Sequence, residues 1–495
     1  MKILLVSPKY PDTYWSFKHA LKFISKKANN PPLGLMTVAA LLPEDWTKKL
    51  VDLNVRSLHD KEILWADYVM VGAMSVQERS ASEVINRCRE LNRKVVAGGP
   101  LFTGDPEPWS NVDHMVLNEA EITLPEFLSD LEKGQPKKIY STCDFADVKT
   151  SPAPDYSLIN ASHYGQLSIQ YSRGCPYHCE FCEITALLGR KVRVKTGAQI
   201  VEELETIYQK GFRGNVFFVD DNFIGNRHHL KRELLPAIFS WNESHRFPFS
   251  FTTEASINLA DDPELLKQVA NAGFNRVFIG IESPDEESLK ECDKKLNLER
   301  DMMESVREIQ SAGIEVTAGF IVGFDHDTTA VFQNQVDFIQ RSGIMTAMVG
   351  LLNAPTRTRL YHRLKREGRI IGNYEGDNTN YSMNFVPKMN KEILLSGYQT
   401  ILTGIYSSKP YYYRLKRFLQ EFEPAARFGR RLTFESIMAL FRSMLYIGIL
   451  GSDRTYYWKL LLWSLVRRPQ VFPLAVTHSI YGYHFRKVFR IGSDT

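Results

Sequence analysis

The sequence predicts an α/β protein in three parts. A doubly wound unit spans residues 1–140, a linker spans 141–165, an open (β/α)6 barrel spans 166–370 and a helical extension spans 371–495. Three observations predict this. Short β-rich runs alternate with helical patterns through the first two parts. The alternation lengthens its period after residue 166, and the β-runs stop near residue 352, where basic and aromatic stretches take over.

Composition narrows the class of protein. The 495 residues are 44% hydrophobic and 24% charged, which excludes long disorder and collagen-like or mucin-like chains. Six cysteines are too sparse for a disulfide scaffold. Three of them crowd into eight positions, which points to a metal or cofactor in a reducing compartment. The opening Met1-Lys2-Ile3-Leu4-Leu5-Val6-Ser7-Pro8 holds an apolar run too short for a signal peptide, so a cytoplasmic chain is expected. The net charge of +4 conceals an asymmetry: residues 408–495 carry 15 Lys and Arg against 5 Asp and Glu, with 18 aromatic residues. No stretch there is apolar enough to span a membrane; the best candidate, Leu432 to Leu450, is broken by Glu435 and Arg442.

In the first unit, strands are expected at Lys2–Val6, Leu50–Val55, Tyr68–Ala73, Lys94–Ala97 and Met115–Leu117. Helices are expected at Leu33–Leu42, entered through Pro31-Pro32, and at Ala81–Leu91 and Thr123–Leu131. Ligands of such sheets sit beyond the carboxyl ends of the strands, here Ser75–Gln77, Gly98-Gly99-Pro100 and Asn118–Glu121. A polar connector from Lys137 to Asn160 follows, with Pro152 and Pro154 as breakers. The barrel strands are expected at Leu167–Ser172, Asn215–Val219, Ser250–Thr253, Arg276–Ile281, Glu315–Val322 and Ala347–Leu352. Helices such as Gln199–Gln209, Pro263–Ala272 and Arg300–Ser311 lie between them. Functional groups in barrels collect at strand C-termini. At those positions stand Cys175, Asp220-Asp221-Asn222, Glu254, Glu282 and Gly323.

The segment Ser172-Arg173-Gly174-Cys175-Pro176-Tyr177-His178-Cys179-Glu180-Phe181-Cys182 contains C-x3-C-x2-C. Three thiolates on one loop can hold three corners of an iron–sulfur cube and leave one iron open. A zinc site would want a fourth ligand, for which only His178 is near, and buried core cysteines would not cluster at a strand exit. Cys88, Cys143 and Cys292 are isolated in sequence and read as structural thiols, although a hydrogen-donor role stays open for any of them.

At these residues the sequence resembles the radical S-adenosylmethionine (SAM) superfamily, with the aromatic Phe181 just before the last cysteine. The resemblance implies a [4Fe-4S] cluster on Cys175, Cys179 and Cys182 that binds SAM and cleaves it to a 5′-deoxyadenosyl radical. It also implies a low-potential electron donor of the flavodoxin or ferredoxin type. Asp220-Asp221-Asn222-Phe223 occupies the place where the family contacts the methionyl amino group. Glu254 and Glu282 are candidates for polar contacts to ribose or methionine. Gly319-Phe320-Ile321-Val322-Gly323 resembles the strand that packs against adenine.

A doubly wound domain ahead of such a barrel resembles the cobalamin-binding subclass, with Ser75, Gly98, Gly99 and Glu119 as the cofactor-facing positions. A structural or partner-docking domain is the alternative. The D-x-H-x-x-G motif is absent, so no histidine of that motif would reach cobalt. Locally the sequence is most similar to the group that contains the hopanoid C-2 methylases, through Ser172–Cys182, Val219–Arg227 and Leu234-Leu235-Pro236. It departs from that group at Asn353–Tyr361, near the barrel mouth.

The resemblance implies methyl transfer to an unactivated carbon of a small molecule or lipid, with methylcobalamin as donor and a second SAM remethylating the cobalt. Two alternatives stay open: a radical SAM cyclase or rearrangement enzyme, and a non-enzymatic cobalamin- or lipid-binding protein with a structural cluster. The tail, with Tyr411–Leu419 and Tyr456–Arg468 mixing aromatics and cations, reads as a peripheral contact with the inner face of a membrane or as helices covering the barrel. Nucleic-acid binding suits its Leu-Leu-Leu-Trp run less well.

Overall fold

A computed structural model describes residues 1–377, 379–424 and 433–491. Its first sheet has six parallel strands, β1 (Lys2–Ser7), β2 (Thr47–Asp52), β3 (Tyr68–Gly72), β4 (Lys94–Gly98), β5 (His114–Val116) and β6 (Ile139–Tyr140), in the order β2-β1-β3-β4-β5-β6. The sixth strand corrects the expected connector: Ile139 and Tyr140 pair with Met115 and Val116 before the chain leaves the sheet. Two residues are too few to show a period, so this strand had no sequence signal.

Both faces of this sheet are buried, as a parallel sheet requires. Leu4 and Val6 face one apolar layer with Ile63, Val84, Ile85 and Phe102. Ile3 and Leu5 face the other with Leu35, Ala39, Leu124 and Phe127. The Glu78–Glu90 helix shows why it forms, since its buried residues Ala81, Val84, Ile85 and Cys88 recur at helical spacing.

The second sheet follows chain order. After β7 (Leu167–Ile169) a two-stranded ribbon, β8 (Ser172–Arg173) with β9 (Arg193–Val194), closes the neck of the cysteine loop. Then come β10 (Gly214–Phe218), β11 (Phe249–Ala255), β12 (Phe274–Glu282), β13 (Glu315–Val322) and β14 (Ala347–Leu351), each parallel to its neighbour. The expected strand Leu167–Ser172 is therefore two elements, because the chain turns at Gln170. Helix caps follow their sequence signals. Thr196 and Gln199 form a capping box, Asp262 precedes Pro263, and Asp301 caps Met302–Ser311.

Six strands leave the barrel open between β14 and β7. The free edge of β14 is covered by the C-terminal extension: Tyr406 Oη donates to Ala347 O at 2.7 Å and Tyr398 Oη to Val349 O at 3.0 Å. The segment between β1 and the Leu33–Leu41 helix joins in. Tyr14 stacks on Phe485 at 4.6 Å between ring centroids. Barrel and extension thus share one apolar core. Among the described residues no helix is long and apolar enough to cross a membrane.

Candidate functional site

The cysteine loop leaves β8 through Gly174, whose φ is +93°. A Cβ there would lie 2.8 Å from Lys191 O and 3.0 Å from Gly189 O, so only glycine fits this exit. The loop is tied down at several points. Cys175 N donates to Gly189 O at 3.2 Å, Cys182 N to Cys179 O at 3.2 Å, and Glu180 N to Cys292 O at 2.9 Å. Arg363 grips both Glu180 oxygens, at 2.8 and 3.1 Å.

Cys175, Cys179 and Cys182 are partly exposed. Burial raises all three thiols, Cys182 to about 12, while the Lys294 ammonium pulls each of them down. Lys294 lies over the strand end of β12, with its Nζ 2.8 Å from Glu282 Oε1. Burial alone would lower Lys294, yet Glu282 and the thiols hold it well above the ordinary lysine range. Gly280 makes room for this pair, since a Cβ there would meet both Glu282 Oε1 and Lys294 Nζ. Among the described residues no group of three or more His, Cys, Asp and Glu is drawn together tightly enough for a single metal ion. The fit to a cluster rests on the donor chemistry: three thiols on one glycine-hinged loop, with a half-buried cation beside them to offset thiolate charge.

The carboxylates divide into used and unused. Asp220 is buried and accepts from Tyr171 N at 3.2 Å and from the backbone and hydroxyl of Ser172. Both its oxygens are thus spent on the turn between β7 and β8, and it positions the cysteine loop rather than standing free for a ligand. Burial raises it to about 7 despite those bonds. Asp221 keeps a buried Oδ2 with no partner. Glu254 lies within β11, and no hydrogen bond or ion pair reaches its carboxylate among the described residues; burial, then Asp221 and Asp220, raise it to about 8. Two underused carboxylates at the barrel mouth suit a cationic ligand. Asn222 reaches back to Cys175 and accepts from Ser256 N at 3.2 Å.

The remaining barrel positions are less uniform. Phe181 packs on the core with its ring 6.4 Å from Phe324. Glu282 ends β12 with φ +66°, an unusual conformation for a non-glycine residue. A Cβ on Gly319 would meet the Phe278 ring at 2.9 Å, so this glycine clears space for an aromatic in the lumen. Gly323 turns away from the lumen: a Cβ there would meet Met383 and Leu394 of the extension. The lumen wall is apolar. Trp15 meets Phe278 edge-on at 5.3 Å and donates from Nε1 to Met348 Sδ at 3.0 Å, while remaining 45% exposed.

The first sheet turns its strand ends toward this mouth. Glu119 Oε2 accepts from Arg173 at 3.0 Å and from Arg193 at 2.7 Å. Glu121 accepts from Arg173 at 2.7 Å. Burial alone would raise Glu121, but the Arg173 guanidinium brings it down to about 2. Thr356 Oγ1 donates to Gly104 O at 3.2 Å, so the loop after β14 also touches the first unit. Gly98 and Gly99 are demanded by the sheet itself: a Cβ on Gly98 would lie 2.7 Å from Val116 O, and Gly99, at φ +94°, sits against Ala73. Ser75 opens a short 3-10 turn that Gly376 packs upon.

Four participants go beyond the roles read from sequence: Lys294 and Trp15, which carry no signal there, Cys292, which reads as a structural thiol, and Arg173, which appears only as a member of the cysteine segment. Cys292 is not isolated, because its carbonyl holds the cysteine loop and its thiol interacts with Cys179. Only Arg173 lies in a motif, the Ser172–Cys182 segment. The partners that place these residues at the site are 52 to 333 residues away, apart from Lys294, whose Glu282 lies only 12 away.

Comparison with known proteins bears on this geometry. The profile of the radical SAM superfamily matches residues 169–339, and a domain of unknown function (DUF4070) matches 358–495. An uncharacterized methyltransferase of Synechocystis sp. is 38% identical over 98% of this chain and 91% of its own. The hopanoid C-2 methylase of Rhodopseudomonas palustris is 34% identical over 94% and 90%. Among solved structures, the cobalamin-dependent SAM radical enzyme OxsB with aqua-cobalamin and SAM has a TM-score of 0.62 at 16% identity, over 99% of this chain and 80% of its own. The methyltransferase TsrM of Kitasatospora setae, with cobalamin and a [4Fe-4S] cluster, has 0.57 at 17%, over 74% and 78%. The solved structures share the fold. The chain belongs to the radical SAM superfamily, in the group that contains the hopanoid C-2 methylase.

Proposed function

We propose that this member of the radical SAM superfamily is a cobalamin-dependent C-methyltransferase that replaces a hydrogen on an unactivated carbon of an apolar lipid with a methyl group. One observation carries the reading. The strand ends of the two parallel sheets are clamped face to face by Glu119 and Glu121 on Arg173 and Arg193, with the cysteine loop at the seam. Two cofactors that must meet at one carbon need such a geometry. When bound, the cluster, SAM and the corrin supply a low-potential electron, a hydrogen-abstracting group and a methyl donor.

The chain's own residues take the following parts. Cys175, Cys179 and Cys182 would hold the cluster, and Lys294 would offset its charge. Asp221 and Glu254 would take the ammonium of SAM, with Asn222 beside Cys175 and Phe181 backing the loop. Glu282 would orient Lys294. Gly319 would admit Phe278 to the lumen wall, where Trp15 and Met348 exclude water from an apolar substrate. Ser75, Gly98 and Gly99 would edge the corrin face, with Glu119 locking that face to the barrel. An electron donor of the flavodoxin or ferredoxin type would dock outside the loop. A substrate of this kind resides in a membrane, and the basic, aromatic extension would bring the enzyme to the inner face of one.

The test is anaerobic reconstitution with iron, sulfide and hydroxocobalamin, followed by turnover with methyl-labelled SAM on polycyclic isoprenoid lipids. Retained corrin, 5′-deoxyadenosine and label in the lipid are expected. Unlabelled rearranged product would favour a cyclase, and absence of 5′-deoxyadenosine with every reductant would leave a binding protein.

A further inference from the structure

The Phe434–Ser443 helix and its continuation Met444–Ile449 turn a row of large apolar side chains outward. Phe434, Ile437, Phe441, Leu445 and Ile449 recur at intervals of three and four, so they share one stripe. Phe434 is 77% exposed, Phe441 61% and Ile449 60%, and Leu450 at the tip is 68% exposed. The opposite side is seated on protein through the buried Ala439, Ser443, Ile447 and Gly448. The next helix, Arg454–Arg467, exposes Leu462, Leu465 and Val466 among Lys459 and Arg467. Isolated exposed apolar residues need no explanation, whereas an aligned row of this length does.

The border of the stripe identifies its occupant. Residues 18–27 contain four lysines, one histidine and no carboxylate. This segment is fastened under the helix. Arg442 donates to Lys22 O at 3.0 Å and to Phe23 O at 3.1 Å, and the Phe23 ring meets Tyr446 at 5.9 Å. Glu435 is the only acid between residues 424 and 452, and Lys26 pairs with it at 2.7 Å. Lys22 and Lys27 remain exposed. Lys18 pairs with Asp12 and Lys26 with Glu435, which leaves Lys22 and Lys27 as the rim's net positive charge. A second copy of the same face would bring these lysines against each other. The stripe matches a helix lying in the plane of an anionic bilayer, with its apolar side among acyl chains and its cations at the phosphates.

We propose that the Phe434–Leu450 face, with the lysines of residues 18–27, docks on an anionic lipid bilayer. The inference rests on the reading of the enzyme as a lipid methylase and adds the surface through which it reaches its substrate. Residues 14–24 give the surface a purpose. The same short segment carries Trp15 in the lumen wall and Phe23 beneath the docking helix, with Tyr14 stacked on Phe485 of the extension. A lipid leaving the bilayer there meets the lumen without crossing the protein's polar exterior.

The full chain, loaded with its cofactors, would be floated with phosphatidylcholine vesicles and with vesicles containing phosphatidylglycerol. Retention is expected on the anionic vesicles and should weaken with salt. The double variant Phe441→Glu, Ile449→Glu should reduce retention at least tenfold, and Lys22→Gln and Lys27→Gln about fivefold each. Formation of 5′-deoxyadenosine in detergent should be unchanged in all of them, which also shows that they fold. Equal retention of the double variant would overturn the proposal. So would a dimer in lipid-free buffer that the same substitutions dissolve. Methylated product from detergent-dispersed lipid without vesicle retention would overturn the docking face alone. Retention without any methylated product would support the face and sink the methylase reading.

Discussion

The two parallel sheets use the same strand pairing and expose different surfaces. The first is open-edged and covered on both faces, by layers around Leu4 and Val6 on one side and Ile3 and Leu5 on the other. Only its C-terminal edge is available to a ligand, and that edge is built from backbone, with Gly98 and Gly99 packed against neighbouring strands. The second is curled and unclosed, so its inner face stays accessible, with Trp15 in the wall and Glu254 and Asp221 at the rim. Burying both faces gives a rigid platform. Leaving one face open gives a chamber. A reaction that must exclude water and present a cofactor over the substrate needs one of each.

The largest effect expected is on the chamber side. Cys175→Ala should abolish SAM cleavage, read as loss of 5′-deoxyadenosine, while the first sheet melts as before; retained cleavage would break the assignment of chemistry to the second sheet. Next comes the clamp. Glu119→Ala leaves Arg173 on Glu121 and leaves Arg193 only the carbonyls of Ala146 and Leu188, which should cost about 1–3 kcal/mol in a denaturant titration. A cost near zero would mean that the platform and chamber are not energetically coupled.

Asp220→Asn sharpens the distinction between positioning and binding. One acceptor cannot serve Tyr171 N and both donors of Ser172, so about 1–3 kcal/mol of stability should be lost. SAM binding, measured by calorimetry, should weaken less than in Glu254→Gln. Trp15→Ala should raise KM for an apolar substrate about tenfold, the scale of one lost apolar contact, and leave 5′-deoxyadenosine formation without substrate unchanged.

The smallest effect is in the pH dependence of the clamp. Glu121 has a folded value of about 2 against an ordinary 4.5, so its contribution to stability is present above about 4.5 and lost as pH falls through 2. The difference in melting temperature between the native chain and Glu121→Gln should therefore narrow over that window. A constant difference would remove Arg173 as the cause.

How much of this was legible in sequence depends on range. The cysteine loop was legible because its three cysteines fall within eight positions and its glycine hinge lies next to them. The barrel was legible because each strand is long enough to show its run of β-branched and aromatic residues and each helix carries its own cap. The two-residue strand Ile139–Tyr140 was not, since it exists only because β5 offers it an edge. Asp220 and Glu254 looked alike in sequence, both near the ends of apolar strands; whether a carboxylate is spent or free depends on donors from residues 171 and 172, which lie 49 and 48 positions from Asp220.

The amino-acid sequence by itself determined the fold class, the three-cysteine loop and the charge of the extension, because periodicity, motif spacing and composition are local properties of the chain. The tertiary structure alone decided which carboxylates remain unpaired, which cation stands beside the thiols, what clamps the two sheets and which apolar side chains face outward. Each of these is set by what packs against a residue across tens or hundreds of positions. Burial and partner choice, the quantities that control charge state and exposure, come into being only when the chain is folded.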